Sequence, residues 1–203
     1  MRGELALVQR PDADAADLRD AVVWLEPRGH AVTGRDLPAD GTIAMRDREF
    51  RPHVLPVLVG GAVAFPNQDP FSHNVFSNAD GGPFDLGLYR RGATRAAAFP
   101  KAGVYPVYCN IHSKMVSFVV AVPAALVARV DAAGRFAIAD VPAGAYVLHA
   151  WHERGAAELT RELAVPAAGA SGVRLALDAR AYVSAPHLNK FGRPYSLMRA
   201  DRY

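Results

Sequence analysis

The side chains best suited to chemistry in this chain are one cysteine, two histidines and a methionine. Cys109 is the single cysteine, and with His112 and Met115 it follows a C-x2-H-x2-M spacing, while His73 lies upstream. Two imidazoles and a thiolate make a trigonal donor set, to which a thioether adds a weak fourth ligand. Sulfur ligands favour Cu(I) and imidazoles keep Cu(II) accessible, so the set predicts one copper ion that exchanges single electrons. Four protein ligands leave no position for a substrate.

Each of these residues also has an ordinary structural interpretation. A lone cysteine often serves as a small buried hydrophobe, and a lone methionine fills gaps in a core. A single cysteine also excludes an internal disulfide framework and any cysteine-rich zinc module. The combination of three candidate ligands on one short segment with a histidine before it favours the metal site.

Alternating and β-branched runs indicate the elements that position these ligands. Residues 103–108 and 115–122 predict two strands that flank the cysteine segment. Residues 54–59 and 62–65 predict a hairpin around Gly60-Gly61. The chain contains 17 glycines and 15 prolines, and its turn signals recur roughly every 8–12 residues, as in β-sandwiches. We therefore expect an all-β fold of sandwich or barrel architecture.

Composition and charge exclude several classes of function. The 203 residues are 51% hydrophobic and 21% charged, with a formal net charge of +3, which is typical of a globular protein. The basic residues are scattered, so no stripe for binding nucleic acid is present in the sequence. No apolar run reaches the roughly 18 residues that a membrane span needs, and we expect no such span.

Residues 42–122 resemble a cupredoxin, with a cysteine segment most similar to that of the amicyanin and plastocyanin type. The resemblance rests on the runs VLVGGAVAFPN (57–67), HNVF (73–76), FPKAGVY (99–105) and YCNIHSKM (108–115). It implies a type 1 blue copper centre with His73, Cys109 and His112 as ligands and Met115 as the axial ligand. It also implies that Asn74 braces the cysteine segment by hydrogen bonding.

The same resemblance predicts how electrons would leave the site. The imidazole of His112 is expected to emerge through an apolar surface patch where a redox partner protein docks. Phe71, Pro106 and Ile111 are candidate members of that patch, and a role in the core is the alternative for each.

His53 is an addition to the usual cupredoxin pattern. One interpretation is a surface histidine that follows Pro52. The other is a proton-active group or an extra ligand near the copper. His149 and His152, which flank Trp151, are expected to be structural.

A second resemblance concerns the residues on either side of the cupredoxin-like segment. The runs DAAGRF (131–136) and DVPAGAYVL (140–148), together with DAVVWLEP (20–27), are similar to a carboxypeptidase regulatory-like, or transthyretin-like, β-sandwich. The fold class predicted is therefore a cupredoxin Greek-key β-sandwich inserted into, or joined to, a second small β-sandwich. The predicted boundaries are 1–41 and 123–181 for the regulatory-like sandwich, 42–122 for the copper domain and 182–203 for a C-terminal tail.

This combination resembles cupredoxin proteins called methylamine-utilisation-like and implies a non-enzymatic electron carrier. The alternatives are a copper-handling protein without a carrier role and a copper enzyme of the nitrite-reductase kind, for which only His53 leaves room. Copper held by one unpaired cysteine fits an oxidising compartment, so we expect a periplasmic or secreted protein whose leader has been removed. The basic, aromatic tail, with Phe191, Tyr195 and Tyr203, is expected either to pack on the body or to bind a partner.

Overall fold

The fold is all-β, as the sequence predicts. The structure is a computed structural model that describes residues 1–32, 37, 40–124 and 126–195. Seventeen strands and one 3-10 turn (Leu18–Asp20) occur in these residues, none of which lies in an α-helix. No helix in this part of the chain has the length and apolar character needed to span a membrane. The strands are β1 (Arg2–Val8), β2 (Val22–Pro27), β3 (Gly41–Thr42), β4 (Ala44–Arg46), β5 (Glu49–Arg51), β6 (Val54–Leu58), β7 (Ala62–Pro66), β8 (His73–Ser77), β9 (Phe84–Tyr89), β10 (Thr94–Ala98), β11 (Gly103–Cys109), β12 (Val116–Val122), β13 (Val127–Arg129), β14 (Arg135–Ala137), β15 (Gly144–Trp151), β16 (Leu159–Val165) and β17 (Val173–Asp178).

The chain forms two compact units. The first consists of Met1–Leu37 and Pro123–Ser184, and the second of Pro38–Val122 and Ala185–Tyr203. In the first unit a three-stranded sheet has the order β14-β1-β17 and a four-stranded sheet the order β13-β2-β15-β16. Leu5 and Leu175 from one sheet and Val23 and Leu148 from the other belong to a single buried cluster. The two sheets therefore enclose one core.

The second unit is also a sandwich. Its five-stranded sheet has the order β6-β12-β11-β8-β9, and a three-stranded sheet has the order β10-β7-β3. Side chains of both sheets, among them Phe65, Val75 and Val107, share one buried cluster. Strand β8 lies between β11 and β9 and is buried along its whole length. This position places His73, its first residue, inside the sandwich.

The predicted hairpin at Gly60-Gly61 is wrong, although both of its strands exist. β6 pairs in parallel with β12, whereas β7 pairs with β10 and β3. The chain passes from one sheet to the other at Gly60, whose φ of 86° suits glycine. Two apolar strands joined by two glycines look alike in sequence whether they pair with each other or face each other across a core.

Candidate metal centre

The segment after β11 brings Cys109, His112 and Met115 close together in space. β11 and β12 pair antiparallel from Gly103↔Ala121 to Tyr108↔Val116, and the six residues between the strands form a tight loop. The backbone N–H of Cys109 donates to the Met115 carbonyl at 3.2 Å, and the N–H of Met115 donates to the His112 carbonyl at 3.1 Å. These bonds close the loop, which we call the ligand loop (Cys109–Met115).

His73 reaches the ligand loop from the neighbouring strand. β8 pairs antiparallel with β11, with Cys109 opposite Val75. The Nδ1 atom of His73 lies 3.6 Å from the Cys109 Sγ, and the Nδ1 of His112 lies 3.5 Å from the same sulfur. One donor atom from each of the three residues lies within 4.8 Å of the other two. The structure thus gathers three of the four ligands expected from sequence.

This donor set fits a single soft metal ion. Nitrogen and sulfur ligands that bind one ion at about 2.0–2.3 Å lie on the order of 3.5 Å from each other. The two Nδ1–Sγ distances agree with that spacing. His112 Nε2 is buried with no hydrogen-bond partner in the structure, and the Nδ1 of the same ring faces the Cys109 sulfur.

The protonation states also suit a metal. Burial lowers the pKa of His112 to about 4, helped by the charges of His73 and Arg48, and burial also lowers the pKa of His73. Both rings are therefore neutral at pH 7, as metal ligands must be. Burial raises the pKa of the Cys109 thiol, and backbone hydrogen bonds, including one from Asn74, offset part of that rise. A metal that binds here would displace the thiol proton.

Met115 is buried at the end of the ligand loop. Its side chain is 1% exposed and packs in the same cluster as Cys109 and Val107. Its role as the axial ligand stays a prediction.

Asp69 was not recognised from sequence, and the structure places it directly behind His73. Its Oδ2 lies 2.7 Å from His73 Nε2, and the residue is only 4% exposed. Burial alone would raise the pKa of Asp69, but hydrogen bonds from the Arg48 amide, His73 and the Asp47 amide lower it. An ionised carboxylate only accepts, so His73 must donate from Nε2 and present a bare Nδ1 to Cys109.

A two-residue turn holds the Asp69 carboxylate in place. Asp47 and Arg48 connect β4 to β5, both with positive φ (58° and 59°). Their N–H groups donate to the two Asp69 oxygens at 2.7 and 3.0 Å. Asn67 adds support, because its Oδ1 accepts from the Asp69 amide and its Nδ2 donates to the Phe71 and Tyr89 carbonyls. The only sequence signal was an acidic residue four positions before a histidine.

Asn74 contacts the ligand loop through its backbone. Its carbonyl accepts from the Asn110 amide at 3.2 Å, and its own amide bonds the Cys109 sulfur. The side-chain Nδ2 instead donates to Asp85 at 2.6 Å. Bracing of the loop by Asn74 therefore does not depend on the amide side chain, and its effect on a bound metal stays a prediction.

His53 lies apart from the three converging ligands. It precedes β6, which is separated from β11 by β12, and two strand spacings amount to about 10 Å. Its carbonyl accepts from the Phe118 amide and the Ser117 hydroxyl, and its ring packs edge-on against Phe118. These contacts join His53 to β12, and a role near the copper stays a prediction.

An apolar rim borders His112. The Phe71 ring centre lies 5.7 Å from that of His112 and 5.2 Å from that of His73. The Arg48 guanidinium carbon lies over the Phe71 ring, 5.0 Å from its centre. Phe71, Pro106 and Ile111 are each partly exposed. His112 is itself half-buried.

In the first unit the two other histidines singled out from sequence have protein contacts. His149 stacks on Trp24 with ring centres 4.8 Å apart, and its Nδ1 lies 2.5 Å from a Glu158 oxygen. His152 is buried and accepts from the Arg154 amide. Neither belongs to a metal-binding group among the residues the structure describes.

Comparison with known proteins gives matches at the level of structure only. No protein-family model matches the chain, and no curated protein matches it. A purple cupredoxin from Nitrosopumilus maritimus matches with 25% identity over 41% of this chain and 100% of its own, at a TM-score of 0.38. A methionine mutant of amicyanin in the Cu(I) state matches with 21% identity over 41% of this chain and 83% of its own, at a TM-score of 0.39.

A copper-containing nitrite reductase from Thermus scotoductus also matches. The identity is 24% over 58% of this chain and 28% of the reductase, with a TM-score of 0.38. With TM-scores this low, the similarities alone assign no function. The described fold and site define a class: an all-β protein with a Cys-His-His donor set, of which Cys109 and His73 are buried and His112 is half-buried, in one of its two sandwiches.

Proposed function

We propose that this chain is a mononuclear type 1 copper protein that carries single electrons between redox partners. The observation that supports this most strongly is the convergence of His73 Nδ1 and His112 Nδ1 on the buried Cys109 sulfur. Bound copper would cycle between Cu(I) and Cu(II), and Met115 would supply the weak axial donor. Four protein donors leave no open position, which favours a carrier over an enzyme.

The protein's part is to keep the donor geometry the same in both oxidation states. Asp69 holds the His73 ring in one orientation and one tautomer. The ligand loop is closed by its own backbone bonds and joined to β8 through Asn74. A site held in this way changes little in shape when an electron arrives or leaves.

We place the docking surface for the redox partner at the rim beside His112. Phe71, which packs against the His112 ring, and Ile111, which precedes His112, are partly exposed there, and apolar contact with a polar surround is usual at protein interfaces. Membership of Pro106, which lies opposite Phe118 in β11, stays a prediction. The dependence of the site on a single free cysteine favours a periplasmic or extracellular protein, where copper protects the thiolate.

One observation favours a second candidate, a copper-binding protein without a carrier role. His112 Nε2 is buried, whereas the resemblance predicts that this edge emerges for electron exit. The two candidates differ in whether bound copper exchanges electrons rapidly with an external protein or small-molecule couple.

The absorption spectrum of the Cu(II)-loaded protein tests the proposal. We expect an intense visible charge-transfer band from the thiolate, lost on reduction and restored on reoxidation. Cys109→Ser should remove the band, because no other thiolate is present, whereas His149→Gln, which removes a histidine of the first unit, should keep it. Only weak d–d absorption, or a band that survives in Cys109→Ser, would refute the type 1 assignment. A blue protein that reduces reversibly but exchanges electrons slowly would favour the second candidate.

A further inference from the structure

The C-terminal segment, described as far as Tyr195, lies directly on the ligand loop. The Tyr195 hydroxyl donates to the Cys109 carbonyl at 2.7 Å. The Lys190 amide donates to Asn110 Oδ1 at 2.9 Å, and His187 Nε2 lies 3.2 Å from the His112 carbonyl. Three residues of the segment thus reach three residues of the loop. We call His187, Lys190 and Tyr195 the tail clamp.

The tail clamp also contacts two strands of the five-stranded sheet, β11 and β9. The His187 ring stacks on Tyr108, which precedes Cys109 in β11, with ring centres 4.4 Å apart. Lys190 Nζ lies 2.6 Å from Asp85 Oδ2, and the other Asp85 oxygen accepts from Asn74 Nδ2. The chain of contacts therefore returns to Asn74, whose backbone carbonyl also accepts from Asn110 in the loop.

The segment also has a defined shape of its own. Asn189 Oδ1 accepts from the Phe191 and Arg193 amides, and the Asn189 amide donates to the Arg193 carbonyl. These bonds form a compact turn between Lys190 and Tyr195. Burial raises the pKa of Tyr195, so the hydroxyl keeps its proton and remains a donor at neutral pH.

We propose that the tail clamp is an outer layer of the metal centre that holds the ligand loop in its metal-binding conformation and slows the loss of the metal. The inference rests on the proposed function, because it takes Cys109 and His112 as ligands. His187, Lys190 and Tyr195 are positioning residues, since they act through loop backbone and Asn110 rather than on the metal.

Tyr195→Phe is the sharpest test, because it removes one hydroxyl and keeps the ring. A single hydrogen bond contributes roughly 0.5–1.5 kcal/mol net, so we expect Cu(I) to transfer to a competing chelator about 2- to 10-fold faster. In the metal-free protein, the amides of the ligand loop should exchange with solvent faster by a similar factor. The second measurement needs no copper.

Tyr105→Phe is the matched control. The Tyr105 hydroxyl donates to the Lys101 carbonyl at 2.9 Å, and Tyr105 lies in the same strand, β11, but away from the ligand loop. It removes the same kind of bond from the same unit, so any general loss of stability appears in it. His187→Phe is a second variant of the clamp that keeps an aromatic ring against Tyr108 and removes the contact with the His112 carbonyl.

The proposal stands if both clamp variants release Cu(I) faster and exchange loop amides faster than Tyr105→Phe. It is overturned if, in Tyr195→Phe or in His187→Phe, the rate of Cu(I) release or the rate of loop-amide exchange equals that of Tyr105→Phe. Failure of the proposed function is a separate result, namely a wild-type Cu(II) protein without the charge-transfer band. In that case the amide exchange of the metal-free protein still decides whether the clamp holds the loop.

Discussion

The two units differ in what they bury. Of the seven buried polar or charged residues in the described part of the chain, six belong to the second unit: Asn67, Asp69, His73, Asn74, Ser77 and Ser117. The first unit contributes one, His152. The core of the first unit is otherwise aliphatic and aromatic, with alternating inward side chains such as those of β17.

The core of the first unit therefore serves stability alone, whereas the core of the second unit also holds the candidate metal centre. A buried polar group costs free energy unless its hydrogen bonds are satisfied. In the second unit Asn67 and Asp69 meet that cost by bonding each other, the turn at Asp47-Arg48 and finally His73. This series supports the orientation of one candidate ligand, so the burial of Asn67 and Asp69 is explained by the site.

Leu148→Ala should give the largest effect and one confined to the first unit. Leu148 is fully buried in β15, and truncation of such a leucine costs about 2–5 kcal/mol. Both tryptophans, Trp24 and Trp151, belong to the first unit, so their fluorescence during urea unfolding reports on that unit. We expect an earlier fluorescence transition and an unchanged Cu(II) absorption band.

The matched variant in the second unit is Val107→Ala, which truncates a fully buried residue of β11. We expect it to advance the loss of the copper band in urea and to leave the tryptophan transition in place. If the fluorescence transition and the loss of the copper band shift together in both variants, the two units unfold as one. The contrast between the two units would then not apply to their stability.

Asp69→Asn tests the claim that the polar core of the second unit serves the site. The amide keeps the volume but loses the charge, and its NH2 group would face backbone N–H groups that now donate to oxygen. Removal of such an outer partner commonly lowers metal affinity about 10- to 100-fold. We expect that loss for Cu(II) in a chelator competition, together with a higher reduction potential, because a nearby negative charge favours the more positive ion.

Asp80→Asn is the control, since Asp80 is an exposed carboxylate of the same unit. It should change affinity little. An Asp69→Asn protein with wild-type affinity and potential would mean that the contact with His73 is incidental.

The elements that could be predicted are those whose information is local. The strands on either side of Cys109 and the closed loop between them follow from alternation and from ligands three residues apart. The pairing of β6 with β12 could not be predicted, because the sequence of an apolar strand does not specify which strand pairs with it. Asp69 escaped for a related reason: its role depends on a turn at Asp47-Arg48 that lacks the usual Asn-Gly signal.

The contacts of the C-terminal tail could not be predicted for a different physical reason. Two of its three contacts with the ligand loop use backbone carbonyls, which any sequence would present, and the third uses the Asn110 side chain, whose partner nothing in the sequence indicates. Packing of residues 185–195 on the second unit was one of two expectations, and the structure supports it for those residues. Tyr203 lies outside the described residues.

The smallest effect concerns the one buried polar residue of the first unit. His152 Nδ1 accepts from the Arg154 amide at 3.0 Å, and its Nε2 donates to the Asp17 carbonyl at 3.2 Å. The first of these bonds requires the neutral ring, because a protonated Nδ1 cannot accept. Burial lowers the pKa of His152, against the opposing effects of the Asp17 carbonyl, Glu153 and Asp20. The unfolded chain then binds a proton that the folded unit excludes, and stability present above about pH 6.5 is lost as the pH falls below it.

Urea unfolding followed by tryptophan fluorescence between about pH 8 and pH 5, the range in which histidine titrates, measures this loss in the first unit alone. His152→Gln should flatten the pH dependence, whereas His149→Gln should leave the His152 contribution in place. If the slope of the His152→Gln protein equals that of the wild type, the His152 ring is not the proton-linked group. The buried His152 would then have no measurable effect on the pH dependence of the stability of the first unit. The second unit alone would have buried polar residues with a measurable consequence.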